Sequence, residues 1–222
     1  SIAHELNQPL AAIANYAFVM EKMASSDDLD LQKISQVAST VREQAVRAGG
    51  IVQGLRNLVK RTTPVRKNTN IDFVIRKAVA LLQPDLRHSL IDLKEDFQAD
   101  LPELQVDPLQ IEQVLVNLIR NAMDAMQGLP HDERQIVIST AMTDDHHIEV
   151  RVWDNGTGLP ADQLESIFEA FNTTKPHGMG MGLAICRSIA ESHAGRLTAE
   201  NGLKSGAIFR LSLPVVDQDT QE

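Results

Sequence analysis

The sequence predicts an α+β chain: an N-terminal helical hairpin, which becomes a four-helix bundle when two copies pair, followed by an α/β sandwich. Three observations carry that reading. Apolar residues recur at spacings of three and four through residues 2–59, in two stretches parted by a polar turn. RTTPVRKNTN, residues 61–70, then interrupts with a proline and no apolar periodicity. Beyond it, helix-period and strand-period segments mix without the strict alternation of a doubly wound parallel sheet. The expected boundaries are a hairpin over 1–62, a linker over 63–70, a sandwich over 71–216 and a frayed tail, DQDTQE, over 217–222.

In the first helix, Ile2, Leu6, Leu10, Ile13, Ala17, Met20 and Ala24 form one stripe. HELNQPL, residues 4–10, sets Pro9 inside it. Either one helix ends there and another begins, or a single helix bends beside His4. Ser25–Asp28 supply turn and N-cap chemistry. In the second helix, Leu31, Ile34, Ala38, Val41, Ala45, Ala48, Val52, Leu55 and Val59 alternate threes and fours, as in a bundle seam. A hairpin cannot bury both stripes alone. A homodimer would cover them, and packing on the rest of the chain is the alternative.

Past the linker, Ile71–Leu82 reads as a helix. Asp107-Pro108 pairs an N-cap with a first-turn proline and opens a helix through about Met126. QIVISTAM (135–142) and HIEVRVWD (147–154) read as neighbouring antiparallel strands, Gly182–His193 as a helix, and 196–201 and 207–214 as closing strands.

Composition narrows the function. Aromatic residues are only 4% of the chain, so the core is aliphatic. No apolar run approaches the roughly 20 residues that span a bilayer, so no membrane contact by this segment is expected. The chain starts at Ser1 within a helical pattern and reads as part of something longer, whose upstream region could be membrane-anchored. Its one cysteine, Cys186, excludes an intrachain disulfide and suits the cytoplasm. Residues 1–66 carry eight Lys and Arg against six Asp and Glu, the remainder thirteen against twenty-four. Nucleic-acid binding needs a basic face, and so acidic a body argues against it.

Three segments carry chemistry. In NLIRNAMDAM, Asn117 and Asn121 are four apart and share a helix face, while Val114, Leu118 and Ala122 pack on another. Two stacked amides on an apolar helix suit a polar ligand. DNGTG follows a strand: Asp154 can accept from an exocyclic amine, and Gly156 and Gly158 let backbone approach a planar ring. GMGMGL places Gly178, Gly180 and Gly182 before a helix whose N-terminus favours an anion, though not at Rossmann or Walker spacing. Each alone could be an exposed amide, an ordinary turn or a flexible loop.

Together and in order, HELNQPL, NLIRNA, DNGTG, IFEAF and GMGMGLAI resemble the five sequence boxes of sensor histidine kinases. HELNQPLAAI and FNTTKPHGMGMGLAI are most similar to the FixL-like branch, and the resemblance runs from Ser1 to about Pro214. It implies ATP-dependent phosphorylation of His4, aided by Glu5, and transfer to an aspartate on a response regulator's receiver domain. It implies ATP and Mg²⁺ as cofactors, with Asn121 holding the metal, Asn117 beside the phosphates and Asp154 on the adenine amine. Residues 172–181 match the ATP lid, from which Thr174 and Lys175 could reach phosphate oxygens. Phe168 and Phe171 match the box packing the lid base. At about 100° per residue, His4 lies well away from the Ile2–Leu6 stripe and so from the seam.

Two rivals share this nucleotide-binding fold. Hydrolytic ATPases of the same GHKL class place a Glu four residues before the metal-binding Asn, where this chain has Asn117, whose amide cannot act as a base. Asp124, where many kinases have Lys, points the other way. A non-catalytic dimeric scaffold would have no need of an intact His4, Glu5, Asn121 and Asp154. Of the other histidines, His88, His131 and His193 lack metal-ligand spacing, and His146 and His147 would alternate across a strand. His177, Met179 and Met181 fall in the lid; Cys186 belongs to the core.

Overall fold

The computed structural model describes residues 2–25, 30–59, 64–173 and 180–216, giving the backbone alone at 2–6, 46–47 and 50–59. The chain divides into two compact units, a helical hairpin and a unit spanning Thr62–Asn172 and Gly180–Glu222.

In the hairpin, α1 (Ile2–Ala24) packs on α2 (Leu31–Val59). Pro9 lies inside one uninterrupted α1 and does not separate two helices. The cap of α2 is Asp30, whose Oδ1 accepts the backbone N–H of Gln32 and of Lys33, both at 3.1 Å. It falls two residues beyond the expected Ser25–Asp28 segment, because a capping oxygen must sit within reach of the first free N–H groups. Ser26–Asp28 are outside the described residues. Of the described hairpin side chains, only Pro9 and Ala48 are buried. Leu10, Ala24, Leu31, Ala38 and Ala45, assigned to the seams by spacing, stay exposed in the single chain.

The second unit begins with a small ladder. β1 (Lys67–Thr69) pairs antiparallel with β3 (Leu104–Val106), so the expected linker supplies a strand too short to show periodicity. Asn70 caps α3 (Ile71–His88) by accepting the Phe73 N–H at 3.1 Å. This helix passes its expected end at Leu82 and runs through Pro84. Buried Leu82 and Leu86 on either side hold it to the core, which outweighs the missing hydrogen bond. The main sheet has the order β2-β4-β5-β7-β6, from β2 (Asp92–Phe97), β4 (Gln135–Met142), β5 (His147–Asp154), β6 (Arg196–Asn201) and β7 (Ala207–Pro214). β2, with the polar sequence DLKEDF, carries no strand signal and lies parallel to β4; the other pairings are antiparallel.

Helices α3, α4 (Pro108–Ala125) and α5 (Gly182–Ser192) cover one face of that sheet. Alternate strand residues, among them Ile136, Ile138, Val150, Val152, Phe209 and Leu211, point into them and are buried. Each buried aliphatic side chain of this size contributes about 1.5–3 kcal/mol. The opposite face carries Arg210, paired with Glu149 at 3.2 Å and with Glu200. Among the described residues no helix is long and apolar enough to cross a membrane.

Candidate functional site

β5 ends at Asp154, opposite Ile136 of β4. The strand's alternation continues Val150 and Val152, so the last position on the helix-covered face holds a carboxylate where its neighbours are apolar. Asp154 is 1% exposed. Burial pushes its carboxyl above the usual carboxylate range, and the backbone N–H groups of Gly156 and Ala207 oppose that rise. The Gly156 N–H lies 2.9 Å from Oδ1. A buried acceptor held this way has chemistry suited to an N–H donor arriving from a ligand.

The loop after Asp154 is fastened by residues whose roles are invisible in the sequence. Asn155 accepts the Gln135 N–H at 2.9 Å and donates to the Glu133 carbonyl at 2.6 Å, extending the strand ladder with its side chain. The Thr157 N–H donates to the carbonyl of Ala125, the last residue of α4, at 3.3 Å. Asn201 of β6 holds Leu159 through both its amide atoms, at 2.7 and 2.8 Å. Gly156 and Gly158 are thereby set between the end of α4 and the β6–β7 turn. The only sequence signal for Asn155 is its place after a strand-ending Asp. Asn201 offers none, since its partner is 42 residues away.

α4 presents the amides. Asp107 caps it, Oδ1 accepting from Leu109 at 3.0 Å and Gln110 at 3.3 Å, with Pro108 in the first turn. Val114, Leu118 and Ala122 are buried, and Asn117 and Asn121 are half-buried beside them, as the spacing implies. Asn117 Nδ2 reaches Cys186 Sγ of α5 at 3.6 Å. Cys186 is fully buried and desolvation pushes its thiol up to about 12, so it stays protonated and serves packing. Asp124 is exposed and accepts Gln127 Nε2 at 3.3 Å.

α5 starts at Gly182, and among the described residues no side chain caps it, a helix start of the kind that suits an anion. A Cβ added at Gly182 would meet nothing within 4 Å among the described residues. Gly180 is different: its φ is +62°, and a Cβ there would lie 2.4 Å from the Phe171 carbonyl carbon. The Phe171 N–H donates to the Gly180 carbonyl at 2.8 Å, closing the base of the intervening segment. Phe168 packs edge-on against Phe209, centroids 6.5 Å apart, under the Arg187 guanidinium. Met181, assigned to the lid, is 1% exposed and stands directly before α5.

Asp154, Gly156, Gly158, Asn117, Asn121, Gly180 and Gly182 are thus carried by α4, by the end of β5 with the loop after it, and by the start of α5 with the residues before it; α4 contacts both β5 and α5. Thr174, Lys175, His177, Gly178 and Met179 lie outside the described residues, as do the side chains of His4 and Glu5, whose backbones belong to α1. His146 and His147 do not alternate across a strand. His146 is a turn residue with φ +57°, and His147 opens β5 with Nδ1 2.8 Å from the Asp145 carbonyl. Among the described residues no group of three or more His, Cys, Asp or Glu could hold a metal ion. A magnesium ion bound mainly by ligand phosphates and water takes few protein oxygens, and the Asn121 amide could offer one. The buried acceptor, the amide face and a helix start with no side-chain cap among the described residues suit an amine donor, a polar group and an anion respectively.

The family described as histidine kinase-, DNA gyrase B- and HSP90-like ATPase matches residues 106–217, and the His Kinase A (phospho-acceptor) domain matches residues 1–64. The sensor protein FixL of Bradyrhizobium diazoefficiens is 39% identical over 99% of this chain, which covers 43% of that protein. The C4-dicarboxylate transport sensor protein DctS of Rhodobacter capsulatus is 36% identical over 97% of the chain, which covers 33% of it. The chain therefore spans less than half the length of these relatives. The catalytic domain of histidine kinase ThkA, in a nucleotide-free form, is 31% identical with a TM-score of 0.60, covering 67% of this chain and 95% of that one. The histidine kinase AdeS of Acinetobacter baumannii, at 19% identity, shares the fold over 98% of this chain and 100% of its own, with a TM-score of 0.71.

Proposed function

This chain belongs to the sensor histidine kinases of two-component systems, with the ATP-binding fold of that family, and we propose that it phosphorylates itself on His4 and passes the phosphoryl group to an aspartate of a response regulator. One observation carries the reading. Family matches at 1–64 and 106–217 bring His4 and a buried, amine-ready Asp154 into a single chain.

In this reading Asp154 accepts a hydrogen bond from the adenine amino group while Gly156 fixes its other oxygen. Gly156 and Gly158 let the ring approach the backbone. Asn117 and Asn121 face the phosphates, with Asn121 contributing the protein's oxygen to Mg²⁺, and the start of α5 at Gly182 receives phosphate oxygens. Gly178, Gly180, Thr174 and Lys175 belong to the segment that closes over them. The bound metal offsets phosphate charge. A free imidazole has a pKa of about 6.5, so near pH 7 a histidine can offer a ring lone pair as nucleophile. The His4 nitrogen forms the N–P bond as the bond from the γ-phosphorus to the ADP oxygen breaks, and the ring proton passes to Glu5. Asn117, lacking a basic atom, does not activate water, which favours transfer over hydrolysis.

We read residues 1–62 as the dimerisation and phosphoacceptor region, 63–70 as the connection and 71–216 as the catalytic region. The exposed Leu10, Phe18, Val19 and Leu31 of the hairpin support pairing with a second copy. Incubation with γ-labelled ATP and Mg²⁺ should give an acid-labile, base-stable label, absent in His4→Gln at unchanged ATP affinity. Label that persists in His4→Gln refutes the assignment.

A further inference from the structure

His193 has no part in that chemistry, yet it is one of few buried polar side chains among the described residues, at 3% exposed. It caps the C-terminus of α5. Its Nε2 accepts the Asp107 backbone N–H at 3.0 Å, and its Nδ1 lies 2.8 Å from the Ile189 carbonyl. An accepting Nε2 puts the proton on Nδ1, where it donates to Ile189; this neutral tautomer makes both bonds at once. Asp107 is itself a junction. Oδ1 caps α4, and Oδ2 accepts the Val65 N–H at 3.0 Å. Next to it, Arg66 donates to the Ser192 carbonyl at 2.6 Å.

The ring therefore ties the beginning of α4 to the end of α5, and the segment entering the unit is fastened on both sides of the tie. Asn117 and Cys186 meet farther along the same pair, so the helices lie antiparallel, with Asn121 and Gly182 toward the opposite end. We propose that His193 is a positioning residue for the nucleotide site. It sets the spread of α4 and α5 at their far end, and hence the separation of Asn121 from the α5 N-terminus. This rests on the reading that ATP phosphates lie between those two groups. At 1.5 Å rise per residue, the Asn117–Cys186 contact is about 15 Å from Asp107 and about 6 Å from Asn121. Pivoting there, an ångström of opening at His193 moves Asn121 by roughly 0.4 Å, a displacement of the order that polar positioning feels.

Gln and Asn test this by reach. In His193→Gln the amide oxygen extends to the Asp107 N–H, whereas in His193→Asn the amide reaches only the carbonyls of α5. Calorimetric titration of the intact chain with Mg²⁺ and a non-hydrolysable ATP analogue should show affinity falling about three- to tenfold for His193→Asn and staying within about twofold for His193→Gln. Adenosine affinity should be unchanged in both. A purely local cap would rank Asn at least equal to Gln, and would move the melting temperature without moving affinity. The proposal is overturned if His193→Asn binds the analogue like the parent, or loses adenosine and analogue equally. If His193→Asn does not fold, Arg66→Ala loosens the same end from the exposed side, and unchanged analogue affinity there overturns the proposal as well. Failure of the parent chain to bind the analogue would instead remove the ATP reading itself.

Discussion

Replacing Asp154 with Asn tests the acceptor it would offer to adenine, beside the bonds its carboxyl receives from the Gly156 and Ala207 N–H groups. The Gly156 N–H occupies Oδ1 at 2.9 Å, and at 1% exposure the side chain has no room to exchange that partner for water. The Asn variant must keep an oxygen toward Gly156, which turns its NH₂ toward the approaching adenine amine, donor against donor. A hydrogen bond to a charged acceptor contributes about 1.5–3 kcal/mol, so ATP affinity should fall roughly 10- to 150-fold. Guanine presents a carbonyl where adenine has its amine, so the ratio of ATP to GTP affinity should fall further than ATP affinity alone. Titration with both nucleotides and Mg²⁺ measures this, and unchanged ATP affinity refutes the adenine role. The same variant reports on charge. Burial raises the Asp154 carboxyl in the folded protein, so the folded state holds that proton more tightly than the unfolded chain. The parent is then least penalised below the ordinary carboxylate value of about 3.9 and loses stability as pH rises to the raised value. Urea midpoints of the nucleotide-free proteins should favour Asp154→Asn increasingly across that window and level off above it.

Gly206→Ala should destabilise the second unit by more than the 1–2 kcal/mol of a left-handed alanine, because φ is +74° and the new Cβ would fall 1.7 Å from the Asp154 carbonyl oxygen. A urea melt measures the loss, and nucleotide affinity of the remaining folded protein should fall with it. Pro9→Ala restores an N–H inside α1 and should raise the melting temperature, since an interior proline costs about 3 kcal/mol relative to alanine. If Pro9 serves as a hinge, the ratio of His4 labelling to transfer changes too; if both rates stay as they were, it is only a tolerated kink.

What the sequence disclosed about the fold followed from how locally each element is determined. α4 announces itself because its cap, first-turn proline and apolar stripe all lie within one segment, and both its ends match the expectation. β4, β5 and β7 alternate cleanly because one face is buried and the other is not. β2 is an edge strand with only half-buried apolar residues, so DLKEDF carries no period to read. β1 exists only through its three-residue pairing with β3, a partner nearly forty positions later. The continuation of α3 past Leu82 was hidden by Pro84, a local signal overruled by tertiary burial of Leu86.

The site divides along the same line. Asn117, Asn121, Asp154 and the glycines stand out because they are unusual residue types at regular places on otherwise apolar elements. His193 stands out nowhere: one histidine at a helix end is ordinary, and its meaning resides in a bond to a residue 86 positions away. Asn155 looks like turn punctuation until its amide is seen holding the backbone of Glu133 and Gln135. The groups that would touch nucleotide are therefore legible one segment at a time, while those that hold them in place are legible only once distant segments meet. Mutational scans guided by motif alone would find the former and score the latter as structural. The Asn and Gln replacements of His193 differ in reach but not in chemistry, which is why their comparison separates holding a site from merely ending a helix.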